Sequence, residues 1–326
     1  MHIKETQPKE VIGVEEARLI ISEVRKAVKG KDDIILKVLL AILAKGHILL
    51  EDIPGVGKTT LAMAFSKATS LDYNRVQFTP DVMPSDVTGF TIYKKETETF
   101  EYVKGAVLCN FFLADEINRT SSKTQSALLE VMEEGKVTVD LKSYDTPKPF
   151  TVIATQNPVG HAGTQMLPES QLDRFLMRLT MGYPDKGSEI IILKSKATEN
   201  PLEQIKPVVD AETLLSMQNA VDYVHVHDAI YNYIVELIGK TRTNEFVELG
   251  ASPRGSVALA AVARARAYLQ QRDYVLPCDV QNSFIDVISH RIILKSKAKI
   301  ANQTVNSVLT EILNTTKQPL LTKDQL

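Results

Sequence analysis

The feature that most constrains the fold is a loop that joins an apolar run to a helix-like segment. Residues 47–50, His-Ile-Leu-Leu, are typical of a short buried strand. Residues 51–59, Glu-Asp-Ile-Pro-Gly-Val-Gly-Lys-Thr, contain the Pro and Gly that end such a strand. Residues 59–68 then carry apolar side chains at helical spacing. A strand that leads through a Gly-rich turn into a helix predicts an α/β domain with a phosphate-binding loop.

The residue types in this loop suit a nucleoside triphosphate. Gly55 and Gly57 allow backbone N–H groups to approach phosphate oxygens, and the following helix adds its positive end. Lys58 would contact the β- and γ-phosphates, and the Thr59 hydroxyl would coordinate Mg²⁺. The full pattern has Gly where Asp52 stands, which weakens the motif without removing it. The strand–loop–helix context disfavours a chance surface turn, so we predict ATP and Mg²⁺ as cofactors. The predicted nucleotide-binding residues are Pro54, Gly55, Val56, Gly57, Lys58, Thr59 and Thr60.

A second chemical signal is a pair of acids at the end of an apolar run. Residues 111–114, Phe-Phe-Leu-Ala, predict a buried strand, and Asp115 and Glu116 follow it directly. Acids beside a buried strand are costly unless they serve a ligand. Asp115 would hold Mg²⁺, and Glu116 would deprotonate the attacking water. A solvated strand end is the alternative, but the phosphate-binding turn upstream favours the catalytic interpretation.

Apolar strands alternate with helices in the first part of the chain, which predicts a mostly parallel α/β sheet of five strands. The other three strands are predicted at residues 76–78, 150–154 and 175–181, with a helical region at 14–44, a helix from residue 122 to Gly135, and hairpins at 91–103 and 137–141.

The 326 residues exceed one ordinary domain and favour two. After the Pro-Asp-Lys-Gly run at 184–187 the pattern becomes mainly helical. We predict a nucleotide-binding core at residues 1–185 and a smaller all-helical lid domain at residues 186–326.

Composition excludes several classes of protein. The formal net charge is −2, without the basic excess typical of nucleic-acid binding, so no nucleic-acid partner is expected. No apolar run reaches the roughly 18 residues of a membrane span. The first residues lack the apolar segment of a signal peptide, which makes a cytoplasmic protein the expectation. Two cysteines without clustered histidines predict neither a disulfide framework nor a zinc site.

Six short segments carry a further signal in combination: the phosphate-binding turn, Pro84 to Gly89, Leu113 to Arg119, Thr155 to Pro158, Gln171 to Phe175 and Ser252 to Arg254. Together they resemble the MoxR family of AAA+ ATPases over about residues 20 to 300. The resemblance implies a P-loop AAA+ core with a helical lid. It also implies an insert at residues 81–107 and a hairpin at residues 136–149.

The resemblance implies roles for individual residues. Asn157 is similar to the sensor-1 residue that helps to position the attacking water, and Arg174 to an arginine finger that reaches a neighbouring subunit's nucleotide. Arg254 resembles sensor 2, a lid residue that touches the γ-phosphate. Arg119 is a second candidate for the contact in trans, and Arg178 is a weaker one.

The residues around the base and the biological role are less defined by the resemblance. Residues 28–31, Val-Lys-Gly-Lys, occupy the position of the family's adenine-flanking segment, but their sequence departs from the usual Val-Gly-Gln. The resemblance implies a ring, with a homo-hexamer expected, that remodels or activates client proteins, often with a partner that bears a von Willebrand A-type domain. An ATPase subunit of a metal chelatase remains an alternative, and a DNA-acting motor or transcription activator is less favoured.

Overall fold

The computed structural model describes residues 13–53, 55–157, 167–196 and 200–320. The strands are β1 (Ile48–Glu51), β2 (Tyr73–Gln77), β3 (Gly89–Lys94), β4 (Thr99–Lys104), β5 (Phe111–Asp115), β6 (Lys136–Val139), β7 (Lys142–Asp145), β8 (Thr151–Gln156), β9 (Met177–Leu179), β10 (Val247–Leu249) and β11 (Ile293–Leu294). The α-helices are α1 (Val14–Ala27), α2 (Asp32–Leu43), α3 (Lys58–Ala68), α4 (Pro84–Thr88), α5 (Ser122–Glu134), α6 (Glu169–Leu172), α7 (Lys186–Lys196), α8 (Ala211–Asp222), α9 (Asp228–Thr243), α10 (Pro253–Leu269), α11 (Pro277–Ile288), α12 (Ser296–Ile300) and α13 (Val305–Thr315).

The predicted parallel sheet of five strands is confirmed. Its order is β2-β5-β8-β1-β9, and every neighbouring pair is parallel. The carboxyl ends of all five strands therefore lie along one edge of the sheet. The strands that carry the predicted site residues, β5, β8 and β1, are consecutive in that order, so their carboxyl ends form one crevice, the usual place for a ligand in an open α/β sheet.

Both faces of this sheet are buried, which explains why its central strands read as continuous apolar runs. Successive side chains point to opposite faces. Phe111 and Leu113 of β5 join the hydrophobic cluster that includes α1, α2 and α3, whereas Phe112 and Ala114 join the cluster on the α5 side. In β1, Leu49 faces the α5 side, whereas its neighbours Ile48 and Leu50 face the opposite side.

Two antiparallel hairpins project from the α5 side of the core. Strands β3 and β4 pair over their full length, and β6 pairs with β7. Tyr102 of β4 stacks on Tyr144 of β7 with ring centroids 4.0 Å apart and planes at 13°. The two hairpins predicted from sequence are thus present and in contact with each other.

The helical region predicted at residues 14–44 is two helices rather than one. Val28 is extended after α1, and Gly30 has φ +67° before α2 begins. A Cβ on Gly30 would lie 2.0 Å from the Ser188 hydroxyl oxygen. The close approach of residue 188 and the left-handed backbone both require glycine there, so the chain turns where helical periodicity alone predicted continuation.

Residues beyond 185 are mainly helical and pack against the core. Their buried side chains continue the cluster that contains α2 and α3, and α10 packs on α2. One feature departs from the all-helical expectation: β10 and β11 form a short antiparallel pair. The fifth core strand is also shorter than predicted, because only Met177–Leu179 pairs with β1. Within the described ranges, no helix combines the length and apolarity needed to cross a membrane.

Candidate active site

The phosphate-binding turn has the backbone geometry that the sequence predicted. Gly55 and Gly57 have φ of +87° and +99°, and α3 begins directly afterwards at Lys58. A Cβ at Gly55 would meet no atom within 4 Å, so there is room above the turn for phosphate groups. Pro54 lies outside the described residues. The first turn of α3 presents N–H groups that have no acceptor within the helix, which suits an anion.

Lys58 lies at the centre of this turn. Its side chain is largely buried, and its Nζ donates to the carbonyl oxygen of Asp52 at 2.8 Å. Burial lowers the pKa of Lys58, an effect that Asp115, Asp52 and Glu116 oppose. Three nearby carboxylates thus favour the charged form that a phosphate would need. Thr59 follows in the first turn of α3, and Val56 and Thr60 line the adjoining cavity.

Asp52 has a structural role in the position where the full motif has glycine. One carboxylate oxygen accepts from the backbone N–H of Gly182 at 2.6 Å, and the other accepts from Ile53 N–H at 2.9 Å. Asp52 is buried and has no positive φ. The turn therefore needs no glycine there, and the carboxylate ties the start of the turn to the segment after β9.

Asp115 ends β5 beside Lys58. Its Oδ1 accepts from the Thr155 hydroxyl at 2.6 Å, and its Oδ2 accepts from Arg75 Nη2 at 2.7 Å. Thr155 also accepts from the Glu116 N–H at 2.8 Å, so this hydroxyl orients both acids. Sequence reasoning missed Thr155 and Arg75, because their roles depend on the pairing of β5 with β8 and with β2.

Glu116 is held by three side chains. Asn157 Nδ2 donates to Oε1 at 2.9 Å, while Arg119 Nη1 and Gln77 Nε2 donate to Oε2 at 2.7 and 2.9 Å. Burial raises the pKa of Glu116, but the hydrogen bonds from Arg119 and Asn157 outweigh it and leave the pKa lowered. A carboxylate that stays ionised can accept a proton from water.

The backbone of Glu116 is also unusual, with φ +57° in the left-handed region. Such conformations are uncommon for residues with a side chain and occur often at functional sites. The strain aims the carboxylate at Asn157, which follows β8. The Oδ1 of Asn157 is buried and has no hydrogen-bond partner among the described residues. A water or phosphate oxygen would satisfy it, as a sensor-1 role requires.

A cavity of about 430 Å³ opens beside the turn. Its walls come from residues 27–29 and 31, the phosphate-binding turn, the middle of α7 and residues 200–202. Lys31 Nζ fixes one wall by donating to the carbonyls of Met181 and Tyr183 at 2.5 and 2.8 Å. The cavity has the volume and the mixed polar and apolar lining of a nucleoside pocket. Residues 28, 29 and 31 line this cavity, and adenine contacts there remain a prediction.

Arg174 and Arg254 lie at the other end of the sheet. Leu176 N–H donates to the carbonyl of His47, which places the residues before β9 at the amino end of β1. The side chains of Arg174 and Arg254 both pair with Glu133 of α5, and Arg174 also donates to the carbonyl of Leu129 at 2.9 Å. The two arginines therefore face a common surface, far from the turn that follows β1.

Arg254 lies away from the phosphate-binding turn of its own chain. Its side chain lies beside Arg174 and Glu133, and its contact with a γ-phosphate remains a prediction. Ser252 caps α10 and Arg254 lies in the first turn, as predicted, yet that helix begins near the amino edge of the sheet. The predicted start of this helix is confirmed. The edge of the sheet that the helix faces depends on how the lid packs against the core. The other two candidates lie elsewhere: Arg119 pairs with Glu116 of its own chain and Arg178 with Glu51.

Comparisons with known proteins show which family the chain belongs to. A family model described as "ATPase family associated with various cellular activities (AAA)" matches residues 47–177, and a model of the AAA lid domain matches residues 239–312. The uncharacterized protein YeaC of Bacillus subtilis is 48% identical over 92% of this chain and 94% of its own length. The chaperone MoxR1 of Mycobacterium tuberculosis is 39% identical over 92% of this chain and 81% of its own length.

A solved structure agrees as well. A Cytophaga hutchinsonii protein that is provisionally named as an ATPase superposes with a TM-score of 0.88 at 38% identity, and the match covers 94% of this chain and 96% of that one. AAA ATPases bind nucleotides and generally assemble into oligomers. The chain is an ATP hydrolase and belongs to the MoxR family of AAA+ ATPases.

Proposed function

We propose that the protein is a Mg²⁺-dependent ATPase whose active sites are shared between the subunits of a closed ring, with a hexamer as the expected form. We propose a core at residues 1–185 and a lid at residues 186–326. The observation that carries the proposal is that the two groups of predicted catalytic residues lie at opposite edges of the sheet within one chain. Lys58, Glu116 and Asn157 converge at the carboxyl edge of the sheet, whereas Arg174 and Arg254 share Glu133 at the amino edge.

Each residue at the carboxyl edge has a step to perform. Lys58 would move from the Asp52 carbonyl to the β- and γ-phosphates and neutralise charge there. Glu116 would accept the proton of the attacking water, and Asn157 would hold that water beside the γ-phosphate. These two roles are supported by the strained Glu116 backbone and by the Asn157 Oδ1, which is buried without a hydrogen-bond partner in the part of the chain that the structure describes.

Thr59 and Asp115 would hold the metal, since a hydroxyl and a carboxylate are the oxygen donors that Mg²⁺ prefers. Bound Mg²⁺ would neutralise negative charge on the phosphates. Asp115 suits this role because Thr155 already orients one of its oxygens at 2.6 Å. Its other oxygen pairs with Arg75, which is half exposed and free to swing away.

Two cations for the transition state would come from the neighbouring subunit. A surface with Arg174 and Arg254 on one side and a nucleotide pocket on the other makes a head-to-tail contact, which closes into a ring when the rotation permits. Negative charge grows on the γ-phosphate during transfer, and a finger arginine supplied in trans is worth about 10³–10⁵-fold in well-studied GTPases. Arg174 and Arg254 would leave Glu133 to contact that phosphate.

We propose that hydrolysis drives remodelling or activation of client proteins, together with a protein that bears a von Willebrand A-type domain. The relative named chaperone MoxR1 supports the remodelling role. Exposed apolar side chains at the hairpins, among them Phe100 and Leu141, offer contacts for a client. Affinity purification of the Glu116→Gln variant with ATP tests this role. Recovery of a von Willebrand A-type partner supports it, and recovery of tetrapyrrole-pathway proteins would favour the chelatase alternative.

The shared site is tested by mixing two inactive variants. Glu116→Gln removes the base and Arg174→Ala removes the finger, so each ring alone should be inactive. In mixed rings some interfaces pair an intact Glu116 with an intact Arg174, and ATP hydrolysis should return there. Mixed assembly is verified by pulling down two different tags. Inactive mixtures with proven mixed rings would refute a role for Arg174 in trans.

A further inference from the structure

A single carboxylate joins the core to the lid beside the two arginines. Asp173 lies just before Arg174, and both of its oxygens are used by residues beyond 185. Its Oδ1 accepts from Arg291 Nε at 2.9 Å, and its Oδ2 accepts from the Ser252 hydroxyl at 2.8 Å. Ser252 in turn caps α10 by accepting from the Arg254 N–H at 3.1 Å. One side chain therefore ties the backbone next to Arg174 to the backbone next to Arg254.

Arg291 makes this junction rigid. Its side chain is only 3% exposed, and it follows α11. It donates to the carbonyls of Asp173, Phe175 and Leu176 at 3.2, 2.7 and 3.3 Å. Burial lowers its pKa to about 10, an effect opposed by Asp173, so the group stays charged at neutral pH. A planar guanidinium with five fixed donors can bind a carboxylate and several carbonyls at once, which an ammonium cannot.

We infer that Asp173 and Arg291 are positioning residues that hold Arg174 and Arg254 as one unit for the nucleotide of the neighbouring subunit. The inference rests on the proposed shared active site. Neither residue touches the nucleotide. Asp173 and Arg291 link the two arginine-bearing segments on the backbone side, and Glu133 links the two guanidinium groups. When the arginines leave Glu133 for a phosphate, the backbone link alone keeps their spacing.

The expected effect follows from geometry. A misplacement of about 1 Å in a catalytic group costs roughly 10²-fold in rate. Arg291→Lys keeps the positive charge and much of the volume but loses the fork that spans Asp173 and the three carbonyls. We expect turnover to fall by at least about tenfold while the affinity for ATP changes by less than about twofold, because the variant's own nucleotide site is intact.

The lid contains a matched control. Arg272 and Asp279 form a second buried ion pair, with distances of 2.8 and 2.7 Å, entirely within residues beyond 185. Arg272→Lys disturbs a comparable pair but leaves the core–lid junction untouched. We expect its turnover to stay within about twofold of the original chain after correction for any loss of folded protein.

Complementation distinguishes the inference from a general loss of structure. Arg291→Lys rings mixed with Glu116→Gln rings should regain activity, because the Arg291→Lys subunit keeps its own base and the Glu116→Gln subunit keeps its arginines. The pair Glu116→Gln and Arg174→Ala is the reference. If the reference recovers and the Arg291→Lys mixture does not, Arg291 does not act on the arginines and the inference is overturned. If the reference itself fails, the proposed shared site falls, and the inference falls with it.

The other arm of the junction provides a second test that does not require a buried substitution. Ser252→Ala removes one hydrogen bond to Asp173, whereas Ser252→Thr keeps the hydroxyl. We expect Ser252→Ala to lower turnover severalfold with unchanged ATP affinity, and Ser252→Thr to restore it. Asp210→Ala removes the cap of α8, away from the junction, and controls for helix capping. The inference is overturned if Arg291→Lys keeps full turnover, or if Ser252→Ala acts no more strongly than Asp210→Ala.

Discussion

Restoring the common form of the phosphate-binding motif should damage this protein. The substitution Asp52→Gly makes the turn match the usual pattern, in which glycine opens the loop. Asp52, however, is buried, and one of its oxygens accepts from the Gly182 N–H at 2.6 Å. Glycine cannot make this contact, and the segment after β9 would lose its tie to the turn. We therefore expect the variant to be less stable and to bind ATP more weakly.

The size of the loss can be worked from these contacts. A hydrogen bond to a charged acceptor is worth about 1.5–3 kcal/mol. A new glycine adds about 0.5–1 kcal/mol of unfolded-state entropy. The expected destabilisation is therefore about 2–4 kcal/mol, or roughly 3–6 °C in the midpoint of thermal unfolding for a chain of this length. Asp52→Asn keeps an oxygen acceptor without the charge and should lose about half as much.

Differential scanning fluorimetry with and without an ATP analogue measures both effects, and isothermal titration gives the affinity. Asp81→Gly is the control, since Asp81 is exposed in a turn and the change in composition is the same. It should cost less than about 1 kcal/mol. A midpoint for Asp52→Gly that equals or exceeds that of Asp81→Gly would refute the structural role of Asp52.

Three further predictions follow from the site and the core. Glu116→Gln should bind ATP but release phosphate about 10²–10⁴-fold more slowly, and a rate within twofold of the original would exclude Glu116 as the base. Arg119→Ala removes the hydrogen bond that lowers the Glu116 pKa, so the acid limb of the kcat profile should move to higher pH; an unmoved limb contradicts this. Burial lowers the pKa of His47 to about 4. The free energy of unfolding should therefore fall by up to about 3 kcal/mol as the pH drops from 6.5 toward 4, because the unfolded chain binds the proton more readily. Urea unfolding of His47→Gln should show a shallower pH dependence, and an equal slope would contradict this.

The parts of the site that sequence could predict are those carried by neighbouring residues. Gly55, Gly57 and Lys58 belong to one strand–turn–helix unit, so their backbone geometry follows from local composition. Asp115 and Glu116 come at the end of an apolar strand, whose composition indicates burial on both faces of the sheet. The alternation of strands and helices also predicted the parallel sheet from local sequence, because the apolar pattern of each element indicates which of its sides are buried.

What could not be predicted depends on contacts between distant segments. Gln77 reaches Glu116 because β2 and β5 pair with Gln77 opposite Asp115, a register that no local pattern specifies. The partner of Asp52 lies 130 positions away at Gly182. The edge of the sheet that Arg254 meets is a third example: the start of its helix was predicted, but the docking of the lid decides where that helix lies.

Every charged group of the proposed site has a partner within its own chain. Lys58 donates to the Asp52 carbonyl, Asp115 pairs with Arg75, and the two arginines share Glu133. Nucleotide, metal and neighbouring subunit would have to displace these partners, so binding exchanges one set of contacts for another and its net free energy is smaller than the new contacts alone suggest. The partners that would be displaced lie in three parts of the molecule: Arg75 is on β2, Asp52 contacts the segment after β9, and Glu133 is on α5. Binding would therefore change contacts in all three. A ligand that binds by exchange prefers the conformation in which the old partners are released, and we expect ATP to favour that conformation for this reason.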